Sequence, residues 1–161
     1  MRFSFVTSDD YGAHGREHTH GADLSSASRA DLRWYYFLGT LRISHYETEI
    51  GPPWRWVPLF DALYSMRQII LFAEGADALG RIDFTENDEF IDFKVDGSSV
   101  RVSPSYLDIE VSCTVNELAA ACQEFIRAEL QRVTLGHPSL TKNPQVSELA
   151  REIGLHPKGA R

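Results

Sequence analysis

Three of the six histidines of this 161-residue chain lie within seven residues, in the stretch YGAHGREHTHGADLSS. The candidate metal ligands are His14, His18 and His20. A Zn²⁺ site takes three or four nitrogen, sulfur or oxygen ligands in a tetrahedral arrangement. Neighbouring acids that could complete the set are Asp9, Asp10, Glu17 and Asp23. The spacing therefore raises the hypothesis of a zinc site and, with it, a small metal-dependent enzyme.

The glycines around these histidines favour a different interpretation. Gly12, Gly15 and Gly21 oppose a helix, and zinc signatures usually place a ligand pair on a rigid element. Residues 8–28 contain mostly turn-forming and polar types, which predicts a long polar loop. Histidines in such a loop are solvated, or form a contact whose charge changes at about pH 6.5. The zinc site and the polar loop both stay open.

Two further sets of reactive residue types have a simpler structural explanation. His45, Glu47 and Glu49 share one face of a predicted strand and could serve as general acid and base, or simply mark its solvated end. Cys113 and Cys122 fall at apolar positions near acids, which favours reduced, buried thiols over a disulfide or a nucleophile. The sequence also lacks the phosphate-loop, G-x-S-x-G, H-E-x-x-H and dinucleotide-binding motifs, which weakens the case for an enzyme.

The net charge of −7 is concentrated in one segment of the chain. Residues 74–96 hold eight acids against only two basic residues, Arg81 and Lys94. The acids are Glu74, Asp77, Asp83, Glu86, Asp88, Glu89, Asp92 and Asp96. This charge disfavours binding to nucleic-acid phosphates and favours a basic protein partner.

The stretch GPPWRWVP is predicted to be an ordered connection, because its prolines remove backbone donors and fix φ. A connection cannot easily bury two indole rings and an arginine together. Aromatic residues and arginine are enriched in protein-interface hot spots. The predicted partner-binding residues are Trp54, Arg55, Trp56, Glu86, Asp88, Glu89 and Asp92.

The hydrophobic pattern predicts strands in both halves of the chain. RFSFVT reads as a first strand, and residues 31–50 continue in a β pattern in which Gly39 marks a bulge or a turn. Strands return with RIDFTE, FIDFKV and SVRVS, the last two joined by a DGSS hairpin turn. In YLDIEVSCTV the alternation places four side chains inward: Leu107, Ile109, Val111 and Cys113.

Three helices are predicted after the first strands. One begins near Pro58 and ends near Gly75, because Leu59, Leu63, Met66 and Ile70 recur on one face. Thr114 to Glu117 form a capping box that opens the second. Asn143 caps a short third helix, and Gly154 ends it.

These elements predict an α+β fold in which a curved antiparallel sheet of about five to six strands is packed on one face by two helices, with a short C-terminal helix. We expect one domain over residues 1–161, with residues 8–28 as the His-rich loop and 137–161 as the short helix and tail. The absence of a long apolar run and of a secretory leader predicts a cytoplasmic protein.

The middle of the chain also resembles a known kind of protein. DLRWYYFLGTLRI, PPWRWVPLFDALYSM, LGRIDFTENDEFIDFKVDGSSVRV and the capped helix that follows resemble small actinobacterial α+β proteins that look like immunity proteins of bacterial toxin systems. The likeness is one of layout and covers roughly residues 31–133. It implies an inhibitor that blocks one cognate toxin by binding, without catalysis, and such proteins are commonly acidic against basic nucleases.

The leading hypothesis is therefore a non-catalytic cytoplasmic binding protein of the immunity type, with a basic partner and no cofactor. Two alternatives stand beside it. One is the metal-dependent enzyme built on the histidine loop with Zn as its cofactor and with His45 and Glu47 brought close by the fold. The other is an accessory protein with a small-ligand pocket lined by Trp34, Tyr36 and Phe60.

Overall fold

A computed structural model describes residues 1–9, 15–19 and 21–155 of the chain. In these ranges the α-helices are α1 (Arg29–Tyr35), α2 (Leu59–Ala73), α3 (Val115–Gly136) and α4 (Pro144–Glu152). The strands are β1 (Arg2–Thr7), β2 (Leu38–His45), β3 (Thr48–Glu49), β4 (Val57–Pro58), β5 (Arg81–Asp83), β6 (Phe90–Asp96), β7 (Ser99–Pro104) and β8 (Val111–Thr114). Short 3₁₀ helices cover Arg16–His18 and Pro138–Lys142.

The strands of the described part form two antiparallel sheets of four strands each. In the first sheet, β2 pairs with β1 on one edge and with β3 and β4 on the other, at opposite ends of β2. The second sheet has the order β5-β6-β7-β8, a simple meander. The predicted α+β class is confirmed. The prediction of a single sheet of five to six strands is wrong, since the strands divide between two sheets.

The largest local difference from the sequence prediction lies just before β2. Apolar alternation over residues 31–38 indicates a strand, but most of this stretch belongs to α1. Ser28 Oγ accepts a hydrogen bond from the backbone N–H of Asp31 at 3.0 Å, so a side-chain cap starts a helix there. The helix ends before Phe37, whose φ of 53° turns the chain into β2.

Gly39 lies inside β2, so the predicted bulge or turn at this position is wrong. It pairs with Thr7 of β1 on one side and with Val57 of β4 on the other. A Cβ atom at this position would lie 2.2 Å from the carbonyl oxygen of Val6. The glycine is there because the neighbouring backbone comes too close for any side chain.

The last predicted strand is shorter than its alternation indicates. Only Val111–Thr114 form β8, whereas residues 105–110 form a connection that leaves the sheet. The prediction that Leu107 and Ile109 point inward is therefore wrong, because these side chains are 40% and 41% exposed. Two apolar residues thus remain on the surface of a connecting segment.

The buried apolar side chains of both sheets and the helices form one continuous cluster. Helices α2 and α3 pack against each other within it, and Cys122 Sγ lies 3.7 Å from Met66 Sδ. Cys113 and Cys122 are both free and buried, and burial raises the pKa of each thiol. The prediction of reduced core cysteines is confirmed. No helix in the described ranges is both long enough and apolar enough to cross a membrane.

Helix ends that the sequence predicts are confirmed at three places. Thr114 and Glu117 form the reciprocal capping box of α3. Asn143 Oδ1 accepts from the N–H of Gln145 at the start of α4. Gly154 has a φ of 73° just past α4, as a left-handed helix stop requires.

The capping box gives a pH-dependent prediction. The backbone N–H of Thr114 donates to Glu117 Oε2 at 2.8 Å, and this bond, with the one to the Thr114 side chain, lowers the pKa of Glu117. The stabilisation is present above the ordinary pKa of a glutamate and is lost as the pH falls through the lowered value.

We expect Thr114→Ala to cost about 1 kcal/mol of unfolding free energy in urea denaturation.

The matched glutamate variants test the pH dependence. Glu117→Gln should destabilise the protein at pH 7 but not at a pH below the lowered pKa of Glu117. Glu124→Gln, on the exposed face of the same helix, should have little effect at either pH. Equal behaviour of the two variants would show that the reciprocal bond contributes nothing.

Candidate protein-binding surface

Three connecting segments meet at a cluster of aromatic rings. The ring centroid of Trp54 lies 5.0 Å from that of Phe84 and 5.2 Å from that of Tyr106, both in edge-on geometry. The Tyr106 hydroxyl donates to the carbonyl oxygen of Ile50 at 2.7 Å. The cluster therefore fixes residues 50–56, 84–89 and 105–110 next to one another, although they are distant in sequence.

The predicted aromatic and arginine contacts divide into two kinds. Trp54 is half-buried by its packing in the ring cluster and is mainly structural. Arg55 and Trp56 are exposed, and Trp56 shows 51% of its surface to solvent. With Leu107 and Ile109, they place apolar and amphipathic side chains on the outside of the three converging segments.

Carboxylates lie on two of the three segments that form this cluster. Glu86 and Asp88 are exposed in the connection between β5 and β6, and the Ser105 hydroxyl donates to Glu89, tying this connection to the next one. Asp108 and Glu110 are exposed in residues 105–110. Burial, together with the nearby charge of Glu89, raises the pKa of Tyr106, so this phenol stays neutral. Five acids thus lie on the two segments that carry Phe84 and Tyr106, and Arg55 adjoins Trp54 on the third.

The remaining acids of residues 74–96 do not belong to this surface. Asp92 is half-buried and accepts two hydrogen bonds from Arg81, at 2.7 and 3.1 Å, so its charge is offset. Asp96 lies at the far end of β6, about 23 Å from Glu89 at the rise of an extended strand. The acidic segment therefore does not form one continuous patch, and its contribution to the surface is limited to residues 86–89.

The structure describes only part of the histidine loop. His14 and His20 lie outside the described residues, so the zinc site that includes them stays a prediction. In the described ranges, no group of three or more His, Cys, Asp or Glu side chains is arranged to hold a metal. His45 lies at the opposite end of β2 from Leu38, about 23 Å along the strand, whereas Glu17 of the loop is bound to Phe37, just before Leu38. The expectation that the fold brings His45 and Glu47 close to His14 and His20 stays a prediction, because these two histidines lie outside the described residues.

The residues proposed to line a small-ligand pocket pack in other ways. Phe60 is fully buried and Tyr36 is 9% exposed, so both belong to the core. Trp34 is half-buried, with the guanidinium carbon of Arg33 4.8 Å from its ring centroid. The three side chains therefore contribute to packing around α1 and α2.

A groove that sequence reasoning missed runs beside α1 and α2. Its volume is about 460 Å³, and its charged lining includes Arg29, Arg33, Arg67, Arg81, Asp83, Glu148 and Glu152. Arg33 Nε donates to Asp61 Oδ1 at 2.6 Å behind the groove. Burial raises the pKa of Asp61, although the bond to Arg33 opposes this shift. Most of these arginines are paired with acids, so the groove carries no strong charge of either sign.

Sequence reasoning also missed Tyr106, Asp108 and Glu110 as parts of the surface. These residues alternate with apolar neighbours as in a strand, so the sequence predicts a strand where the structure has a connection. The available signal was Ser103-Pro-Ser105, a cluster of turn formers directly before it.

Comparison with known proteins adds no relative: no protein-family model, no curated protein and no solved structure matches this chain.

Proposed function

We propose that the chain is a non-catalytic binding protein that docks a basic protein partner through residues 54–56, 84–89 and 105–110. One observation carries the proposal: the ring cluster holds together three connections that carry exposed apolar side chains and five carboxylates. Apolar anchors supply affinity, and the surrounding acids steer a basic partner and exclude acidic ones. The site needs no bond-making group.

The kind of partner that we propose rests on the resemblance described above. We propose that the protein acts in the cytoplasm as an immunity protein and neutralises a cognate basic toxin by covering it. The net charge of −7 supports electrostatic attraction between the two proteins. Such association should be fast at low ionic strength and should slow as salt screens the charges.

The test is a charge reversal on the proposed surface. The variant carries Glu86→Lys, Asp88→Lys and Asp108→Lys. The immunity role predicts a toxin-like gene next to the gene of this protein, and association kinetics are measured with the product of that gene as partner. We expect the association rate at low salt to fall by about tenfold or more, because the steering field is reversed. The effect should shrink as salt is added.

A matched control changes the net charge by the same amount elsewhere. Glu47→Lys, Glu74→Lys and Glu124→Lys alter three exposed acids outside the proposed surface. This control should slow association much less. Equal rates for the two triple variants would show that the surface is not the contact, and no binding by the wild-type protein would contradict the immunity role.

A further inference from the structure

Glu17 is the most unusual charged residue of the described chain. It lies in the His-rich loop, in a three-residue 3₁₀ helix, yet its side chain is only 1% exposed. Its Oε2 atom accepts from the backbone N–H of Phe37 at 2.8 Å. Its Oε1 atom is buried without a hydrogen-bond partner among the described residues, and His18 Nε2 lies 3.5 Å away, beyond a strong bond. A buried carboxylate oxygen in this state needs an explanation.

The backbone around Glu17 is built to hold the carboxylate in this position. Phe37 has a φ of 53°, a strained conformation for a large side chain, and in it donates its N–H to Glu17. A Cβ atom on Gly15 would lie 2.0 Å from Glu17 Oε2 and 2.5 Å from the Phe37 nitrogen. Gly15 is therefore required for the buried position of Glu17.

Glu17 lines a small pocket at the ends of β1 and α3, beside Phe37. The pocket has a volume of about 110 Å³, and the hydroxyl of Thr7, which lines it, is also buried without a partner in the described ranges. The rings of Phe37 and His137 meet edge-on at 5.1 Å in its wall. His18 and Arg132 also line the pocket. The charge of Arg132 is already paired, because its Nε is bound to the buried carboxylate of Glu129 at 2.7 Å.

We propose that this pocket binds a primary ammonium group. A buried carboxylate oxygen and a hydroxyl oxygen are hydrogen-bond acceptors for its N–H groups, and the carboxylate supplies the opposite charge. The aromatic wall adds attraction for a cation. An alkali or alkaline-earth ion would need about six oxygen ligands, and the pocket wall offers far fewer from side chains.

The size of the pocket sets the class of ligand. One water takes about 30 Å³ of liquid volume, so the pocket has room for an ammonium group and a short methylene chain. The ligand is either a small free alkylamine or the end of a lysine side chain. The pocket shares no lining residue with segments 54–56, 84–89 and 105–110, so this site is distinct from the proposed docking surface.

The test is a titration with butylammonium chloride, followed by the backbone amide signals of Thr7 and Phe37 in NMR spectra and by thermal unfolding. We expect saturable shifts of both signals. At a concentration of about ten times Kd, the Tm should rise by about 3–6 °C for a chain of this size. Tetramethylammonium chloride at equal concentration has no N–H donor and should produce neither effect.

Variants of the pocket locate the binding. Glu17→Gln keeps an acceptor for the Phe37 N–H but removes the charge, and it should abolish the response, while Glu47→Gln at an exposed site should retain it. Thr7→Val keeps a β-branched residue in β1 and should weaken binding by about five- to tenfold, which gives a second test if Glu17→Gln folds poorly.

A second ligand distinguishes a free amine from a lysine side chain. It is lysine with its α-amino and α-carboxyl groups blocked and its side-chain amine free. If it binds as butylammonium does, the site accepts a protein side chain, and if only butylammonium binds, the site is for a free amine. Equal responses to butylammonium and tetramethylammonium, or full binding by Glu17→Gln, would overturn the proposal and leave a pocket that holds only water.

Discussion

Arg33→Met is expected to lower the free energy of unfolding by about 3 kcal/mol at neutral pH, because it leaves a buried carboxylate without its partner. Asp61 is 5% exposed, and its Oδ1 accepts from Arg33 Nε at 2.6 Å. The expected loss is at the low end for buried pairs, since the Arg33 side chain is itself 36% exposed. Methionine keeps a long apolar side chain against Trp34 and Tyr64 and removes the charge together with the N–H donor to Asp61.

The pH dependence of this loss identifies its cause. Burial already raises the pKa of Asp61, and removal of Arg33 should raise it further. A carboxyl group whose pKa is raised in the folded state lowers the free energy of unfolding at pH values above that raised pKa. It has no such effect at pH values below the pKa that the group has in the unfolded state. The difference between Arg33→Met and wild type should therefore shrink as the pH falls from 7 toward the unfolded pKa of an aspartate.

Two controls accompany the measurement by urea denaturation. Arg127→Met breaks an exposed pair with Glu124 and should cost well under about 1 kcal/mol. The double variant Arg33→Met with Asp61→Leu removes both charges and should recover most of the lost stability. If Arg33→Met and Arg127→Met cost the same, the buried pair has no special role.

Local signals in the sequence were sufficient for most of the helices and strands. The capping box at Thr114 and the N-cap at Asn143 are short-range patterns whose physics is complete within four residues. The helix α2 and the strands β5 to β7 follow from periodicity, because one face of each is buried in the core. These predictions need no knowledge of how the elements meet.

The errors occurred where two local signals competed. Alternation over residues 31–38 favours a strand, while Ser28 favours a helix start, and the cap prevails in α1, which ends at an extended Tyr36. Phe37, in a left-handed conformation, then turns the chain into β2. Around Leu107 polar and apolar residues do alternate, but residues 105–110 pair with no strand of the described structure, so the Leu107 side chain remains exposed. In both places the outcome is set by tertiary pairing, which alternation alone does not encode.

The candidate surface was predictable only in part for a related reason. The sequence predicts Trp56 and the acids at 86–89 as candidate partner-binding residues, because composition and proline content mark them, and this stays a prediction. It does not show that Tyr106 packs on Trp54, which adds residues 105–110 to the same surface. It also counts Asp92 as available, whereas the register of β5 and β6 places Arg81 opposite it.

Asn143→Asp is the second substitution with a large expected effect, although it is the mildest change of shape available. Asn143 is fully buried, and its Nδ2 donates to the carbonyl oxygens of Leu24 at 2.8 Å and Ala27 at 2.9 Å. These two bonds tie the segment before α1 to the start of α4. Aspartate keeps the acceptor that caps α4 but removes both donors and places a negative charge against two carbonyl oxygens.

We expect Asn143→Asp to lower the free energy of unfolding by about 3–4 kcal/mol, since each buried carbonyl left without a donor costs about 1–3 kcal/mol. Asn116→Asp is the matched control, because it makes the same change in the exposed first turn of α3, where a negative charge suits the helix dipole. That variant should be close to wild type in thermal and urea unfolding. The cost of Asn143→Asp should also fall at acid pH, because a protonated carboxyl regains one donor. If both variants unfold as the wild type does, Asn143 acts only as a helix cap, and its two long-range bonds do not hold the loop.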